Sequence, residues 1–146
     1  MEISDSLLIS ELRRDEGVRY RPYKDSVGIL TVGVGHNLAV RPIHIGWTYP
    51  LSDAQVNQLL AEDLAEVFAE LDSHLPWWRS LSYPRQRVLA NMSFNLGTAS
   101  LLTFANTLAA IKAGDWQKAS NGMLKSKWAG QVGDRAKRLA AMMLQG

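Results

Sequence analysis

The chain has 146 residues, of which 47% are hydrophobic and 21% charged, an ordinary composition for one globular domain or two small lobes. Its formal net charge is +2, it has no cysteine, and no apolar run approaches the roughly 18 residues of a membrane-spanning helix. A disulfide framework, a thiol nucleophile and a membrane helix are therefore excluded, and the acidic first residues predict no secretory signal.

The N-terminal part predicts one helix followed by a small β-sheet. Ser4 or Asp5 can cap the helix, and Gly17 suits the position just after its end. The apolar residues expected to face inward are Leu7, Leu8 and Leu12. Residues 18–35 are rich in strand formers separated by glycines, which predicts an antiparallel hairpin or meander with its turn at residues 24–26.

The rest of the chain predicts a Pro- and Gly-containing connector over residues 37–51 and then helices. Ser52 and Gln55 form a capping-box pattern that begins a helix of about 20 residues, about 30 Å long and able to connect two lobes. Further helices are expected over 84–96, from Thr98 toward 113 with a break near 105–106, from Asp115, and from Asp134.

These elements predict an α+β, mostly helical architecture in a single catalytic domain. The small β-containing lobe is expected over about residues 13–60. The helical lobe is expected over about 61–146, together with the N-terminal helix. Since ligands favour clefts between lobes, we expect a site where the first helix meets the β-sheet.

Three residues near that point suit the hydrolysis of a glycosidic bond. Taken singly, Glu16 is an ordinary acid at a helix end, Asp25 a turn former and Thr31 a strand residue. Taken together, they offer a carboxylic acid that protonates the leaving oxygen and a carboxylate that, with a hydroxyl, activates water.

The same stretch closely resembles the catalytic segment of phage-type lysozymes. The matching motifs are DEG at 15–17, YKDSVG at 23–28, TVGVGH at 31–36, DLAEVF at 63–68, NMSFNLG at 91–97 and a basic, Trp-containing pattern over 115–138. The resemblance implies a lysozyme-like, two-lobed fold and a catalytic role for Glu16, with Asp25 and Thr31 handling the water. The main departure from the family pattern is the connector between His36 and Ser52, which is shorter than in the T-even phage enzyme.

The resemblance also implies supporting and substrate-binding residues. His36 is expected to pair with Asp63, and Arg135 to pair with the catalytic Glu from the far lobe; a surface position on a helix is the alternative for Arg135. The residues expected to bind saccharide are Asn37, Phe94, Asn95, Thr107 and Asn121. For Phe94, core packing is the stronger interpretation of the residue alone.

The leading functional hypothesis is an endolysin that hydrolyses the β-1,4 bond between N-acetylmuramic acid and N-acetylglucosamine in bacterial peptidoglycan. We expect an inverting mechanism, a monomer, no cofactor and no metal, since three scattered histidines without cysteine lack the spacing of a metal site. The protein is expected in the host cytoplasm before release, without a membrane anchor, and dependent on a separate holin to reach the wall.

Three other functions stay open. A lytic transglycosylase would need the acid but no water-activating pair, and a wall-binding virion module would need neither. A nucleic-acid binder is the weakest alternative: the basic residues near the C-terminus carry no recognition motif, and a solvated helix face explains most of them.

Overall fold

The computed structural model describes residues 1–2 and 5–146 and shows the expected mostly helical α+β fold with a small antiparallel sheet. The helices are α1 (Ser6–Glu16), α2 (Asp53–His74), α3 (Tyr83–Leu96), α4 (Thr98–Leu102), α5 (Ala105–Ala113), α6 (Trp116–Leu124), α7 (Lys127–Val132) and α8 (Asp134–Gln145). The strands are β1 (Arg19–Lys24), β2 (Leu30–Gly33) and β3 (His36–Asn37).

The chain divides into two compact units. One unit comprises residues 2–66, and the other comprises Met1 with residues 67–146. The division falls inside α2, and it groups α1 with the sheet, whereas the sequence analysis assigned this helix to the helical lobe.

In the N-terminal unit, α1 begins and ends as its sequence predicts. The Leu8 amide donates to Asp5 Oδ1 at 2.9 Å, so Asp5 caps the helix, while Ser4 lies outside the described residues. Gly17 follows the helix with φ 75° and donates to the Arg13 carbonyl. The expectation for Leu7 is wrong: it is 57% exposed, because the inward face of the helix is occupied by Leu8 and Leu12.

The sheet has the order β1-β2-β3, and both pairs of strands are antiparallel. Its central strand carries Thr31, whose Cα lies opposite that of Tyr23 on one side and that of Asn37 on the other. Thr31, Val32 and Gly33 of β2 are all buried, and so is Val34 just after the strand, so the central strand is covered on both faces. The sheet therefore places Thr31 at its centre.

Hydrogen bonds tie α1 and β1 to the first turns of α2. Arg13 donates to Asn57 Oδ1 at 2.8 Å and to Asp53 Oδ1 at 3.2 Å, and the Tyr20 hydroxyl donates to the same Asp53 oxygen at 2.6 Å. The predicted capping box is present: Ser52 N donates to Gln55 Oε1 at 2.9 Å, and Gln55 N donates to Ser52 Oγ at 3.1 Å.

The C-terminal unit buries an apolar core that includes Trp78, Leu89, Met92, Met123, Trp128 and Met143. Two sequence expectations need correction here. Thr98 does not cap a helix, because its hydroxyl is buried against Ser93 Oγ at 2.6 Å and Gly97 holds the cap position. The expected break lies at residues 103–104 instead of 105–106, since the amides of Thr103 and Phe104 close tight turns at the end of α4.

Asp115 caps α6 as predicted, with the Lys118 amide donating to its Oδ1 at 3.2 Å. Helix α7, capped by Ser126, was not among the predicted elements. Within the described residues, no helix combines the length and apolar character needed to cross a bilayer.

Candidate functional site

Asp25 and Thr31 are both bonded to the main chain of Ile29. The Ile29 amide donates to Asp25 Oδ1 at 2.9 Å, and the Ile29 carbonyl accepts from the Asp25 amide at 2.9 Å and from the Thr31 hydroxyl at 2.9 Å. The Val27 amide adds a second bond to Asp25 Oδ1 at 3.0 Å. The predicted carboxylate and the predicted hydroxyl are thus bonded to main-chain groups of the same residue.

These bonds set what the two side chains can do for a water molecule. The Thr31 hydroxyl donates its one proton to the Ile29 carbonyl, so its oxygen is available to accept a hydrogen bond from water. The two backbone donors bind Oδ1 of Asp25, while Oδ2 takes no part in those bonds. A water that donates one hydrogen to Thr31 and the other to Asp25 would have a lone pair left for attack.

Glu16 is the last residue of α1, and its side chain lies against Gly35. Gly35 has φ 62° and sits between β2 and β3. A Cβ placed on Gly35 would be 2.9 Å from Glu16 Oε1 and 3.5 Å from its Cδ and Cγ. The end of α1 therefore delivers the predicted acid to the turn that follows the strand of Thr31.

Tyr23 is electrostatically close to both carboxylates. Burial raises the pKa of Tyr23, and the negative charges of Glu16 and Asp25 raise it further, against an opposite effect from Arg19, whose guanidinium lies 5.0 Å from the ring centroid. Tyr23 also faces Thr31 across the β1–β2 pair. Tyr23 is therefore a neighbour of all three predicted catalytic residues. The sequence did not single out Tyr23, although it begins the YKDSVG motif.

His36 and Asp63, the pair implied by the family resemblance, are in contact. His36 Nδ1 lies 2.8 Å from Asp63 Oδ2, and Nε2 lies 3.0 Å from the Arg41 carbonyl. Burial lowers the pKa of His36, but the hydrogen bond and charge of Asp63 outweigh it, and the net shift is upward. Both partners are acceptors, so the protonated ring, which has two donors, fits them. Arg41 also forms an ion pair with Asp63.

Asn37, predicted to bind saccharide, stabilises the start of the connector. Its Oδ1 accepts from the amides of Ala39 at 2.9 Å and Val40 at 3.3 Å. These bonds leave the amide nitrogen of Asn37 as the group for an external acceptor. Its backbone position opposite Thr31 is fixed by the β2–β3 pair.

In the C-terminal unit, Arg135 is buried and tied to a buried amide. Its side chain is 7% exposed, and Nε donates to Asn91 Oδ1 at 2.9 Å. This burial excludes the surface alternative considered for Arg135. Its pairing with Glu16 stays a prediction. The sequence analysis did not select Asn91 as a supporting residue. The signal for it is a polar residue at the start of the NMSFNLG motif, where the structure shows it to be buried.

Two predicted saccharide-binding residues of this unit, Thr107 and Asn121, line surface cavities, and Thr107 lines both. One, of about 470 Å³, is lined by Phe104, Thr107 and Trp128 among others, and the Trp128 indole donates to Asn95 Oδ1 at 2.8 Å. The second, of about 410 Å³, contains Asn121 and two lysines. Phe94 is half-buried on α3.

Comparison with known proteins shows the family to which the chain belongs. The family model for phage lysozyme matches residues 13–142. The endolysin of Salmonella phage P22 is 30% identical over 142 residues, covering 93% of this chain and 94% of that protein. Probable T4-type lysozyme 1 of Dictyostelium discoideum is 26% identical, covering 92% of each. The pre-baseplate central spike protein Gp5 of Enterobacteria phage T4 is 31% identical over 92% of this chain, but the chain spans only 27% of that protein.

Proposed function

Because the chain belongs to the phage lysozyme family and is thus a glycoside hydrolase, we propose that it cleaves the β-1,4 bond between N-acetylmuramic acid and N-acetylglucosamine in peptidoglycan. The observation that carries this proposal is the hydrogen bonding of Asp25 and Thr31 to the main-chain N–H and C=O of Ile29. A carboxylate and a hydroxyl acceptor held by one turn are suited to orienting a hydrolytic water.

In the proposed reaction, Glu16 donates its proton to the glycosidic oxygen as the bond to the muramic C1 breaks. A water held by Thr31 attacks C1 from the opposite face, and Asp25 takes up the proton that the water releases. The product is a reducing sugar of inverted configuration at C1. Tyr23 remains a neutral phenol near both carboxylates, since its pKa is raised above 10.0.

Clearing of chloroform-treated Gram-negative cells tests the role of Glu16. The amide in Glu16→Gln has no acidic proton, so we expect a loss of at least about 10²-fold in rate. Glu70→Gln makes the same chemical change at an exposed position of α2 and should clear cells like the wild type. Equal clearing by Glu16→Gln and the wild type would show that the acid is assigned wrongly.

Proton NMR of the first-formed anomer tests the stereochemical part of the proposal. Attack by water from the opposite face gives the α-anomer from a β bond. A β-anomer appearing first would contradict inversion and would require a covalent or otherwise retaining route. A lytic transglycosylase would give anhydro-muropeptides without a reducing end, which mass spectrometry detects.

A second candidate function follows from the similarity to the spike protein Gp5. A chain that matches a 27% portion of a virion protein can itself serve as a wall-degrading module of a particle. Mass spectrometry of purified virions distinguishes the two: a spike module is a stoichiometric virion component, whereas an endolysin is found in the lysate and not in the particle.

For the endolysin, we propose accumulation in the host cytoplasm and release to the wall through a separate holin. The name of the endolysin of Salmonella phage P22 supports the endolysin part of this proposal. The SAR-endolysin of Escherichia phage Mu, which is 30% identical over 90% of this chain, instead favours release without a holin. Expression with and without a holin tests this route. Lysis that needs no holin would contradict it.

A further inference from the structure

Gly35 has no side chain at a point where the carboxyl group of Glu16 takes up the space. A Cβ on Gly35 would lie 2.9 Å from Glu16 Oε1 and 3.5 Å from both Cδ and Cγ. Favourable contacts between carbon atoms lie at about 3.5–4.0 Å, so the carboxyl oxygen is too close for a methyl group. The outer half of the Glu16 side chain thus rests on the backbone of Gly35.

The backbone of Gly35 is held from both sides, so Glu16 is the partner that would yield to a methyl group. Val32 pairs with His36 and Thr31 with Asn37 across the turn that contains Gly35. The His36 ring is fixed in turn by its bonds to Asp63 and to the Arg41 carbonyl. Glu16, in contrast, carries its carboxyl group at the end of a flexible side chain.

Other glycines with positive φ show that this contact is not a general consequence of such a backbone. Gly17, Gly28 and Gly46 have φ between 75° and 88°, yet a Cβ on each would meet nothing within 4 Å. Their conformation explains why they are glycines. The same conformational reason applies at Gly35. In addition, the space that a side chain would need there is occupied by Glu16.

We infer that Gly35 is a positioning residue for the general acid: its bare backbone forms the wall that sets where the Glu16 carboxyl group sits. This rests on the proposed role of Glu16. A general acid must lie within about 2.6–3.2 Å of the oxygen that it protonates, and a misplacement of about 1 Å can cost about 10²-fold in rate. Moving Glu16 Oε1 from 2.9 Å to the 3.4 Å at which ordinary contact begins would displace the carboxyl group by about 0.5 Å, half of that misplacement.

The test compares Gly35→Ala with Gly46→Ala, which also places alanine at a positive φ (88° against 62° at Gly35) but without a clash. On purified peptidoglycan we expect Gly35→Ala to lower kcat about 10- to 100-fold relative to Gly46→Ala, with little change in KM. Its pH–rate profile should also be displaced, because the acid no longer has its wild-type surroundings. A purely structural effect would lower the amount of active protein without moving the pH profile.

A stability measurement keeps the inference testable if Gly35→Ala folds poorly. In a Glu16→Ala background there is no carboxyl group to clash, so the drop in Tm caused by Gly35→Ala should be smaller than it is in the wild-type background. Equal drops in both backgrounds would show that Gly35 and Glu16 are not coupled and would overturn the inference.

The outcomes separate this inference from the proposed function. If Glu16→Gln is inactive while Gly35→Ala matches Gly46→Ala in kcat and pH profile, Gly35 does not position the acid, and the proposed function stands. If Glu16→Gln is fully active, the proposed role of Glu16 and the inference both fail.

Discussion

At the scale of single residues, the site depends on which hydrogen-bond partner each polar group has. Thr31 is buried, and its hydroxyl donates to the Ile29 carbonyl. The Ile29 amide donates to the carboxylate of Asp25. A small change in either side chain should therefore affect the binding of water more than it affects the stability of the fold.

Thr31→Val tests this distinction. The Ile29 carbonyl keeps the Asp25 amide as a donor, so the lost hydrogen bond should cost no more than about 1 kcal/mol of unfolding free energy. The rate of muropeptide release should fall about 10²-fold or more, because the water loses an acceptor. Thr31→Ser retains the hydroxyl and should keep most of the rate. Full activity in Thr31→Val would remove Thr31 from the mechanism.

His36 gives the site a stability that depends on pH. Its pKa is raised above the ordinary 6.5, so the folded protein binds more protons than the unfolded chain as pH rises beyond that value. The contribution is therefore complete below pH 6.5 and is lost as pH rises through the pKa of the folded state.

Urea unfolding of the wild type and His36→Gln over a range of pH measures this contribution. The difference in unfolding free energy between the two should be largest below pH 6.5 and should decline above it. Glutamine does not titrate there, so it serves as the reference. A difference that stays constant would show that folding does not shift the pKa of His36, and one that grows with pH would show that folding lowers it; either result would contradict the prediction.

At the scale of elements, the packing of α5 on α6 depends on a glycine inside a helix. Glycine costs about 1 kcal/mol relative to alanine in a helix interior. However, a Cβ on Gly122 would lie 2.3 Å from Thr107 Oγ1, and Thr107 is buried. Close approach of the two helices thus outweighs helix propensity at this position.

We expect Gly122→Ala to destabilise the protein, because overpacking costs about 1–3 kcal/mol against a propensity gain of about 1 kcal/mol. Gly130→Ala in α7, where a Cβ meets nothing within 4 Å, is the matched control and should stabilise by up to about 1 kcal/mol. In a Thr107→Ala background, Gly122→Ala should become stabilising. If thermal unfolding shows a gain in the wild-type background, Thr107 gives way easily and the helices are not tightly apposed.

At the scale of the whole molecule, local signals in the sequence predicted the elements, and long-range contacts decided the details. The Asp5, Ser52 and Asp115 caps were predictable because capping involves residues three apart. The role of Thr98 was not, since its hydroxyl is claimed by Ser93 on the preceding helix. The inward face of α1 was misjudged at Leu7, because a leucine alone does not say which side is buried.

In the candidate site, the residues of the local motif could be predicted from the sequence, whereas the long-range contacts could not. Glu16, Asp25 and Thr31 could be selected because hydrolysis of a glycosidic bond needs those residue types, and the family motif supplied their spacing. The contact of Gly35 with Glu16 and the bond of Arg135 to Asn91 join residues far apart in the sequence, so only the three-dimensional structure shows them.

The central claim, that a water molecule cleaves a glycan protonated by Glu16, is tested most directly by digesting peptidoglycan in heavy-oxygen water. Mass spectrometry should find one heavy oxygen on the muramic acid reducing end with the wild type, and no such product with Glu16→Gln. Anhydro-muropeptides without heavy oxygen, or labelled product from Glu16→Gln at the wild-type rate, would contradict it.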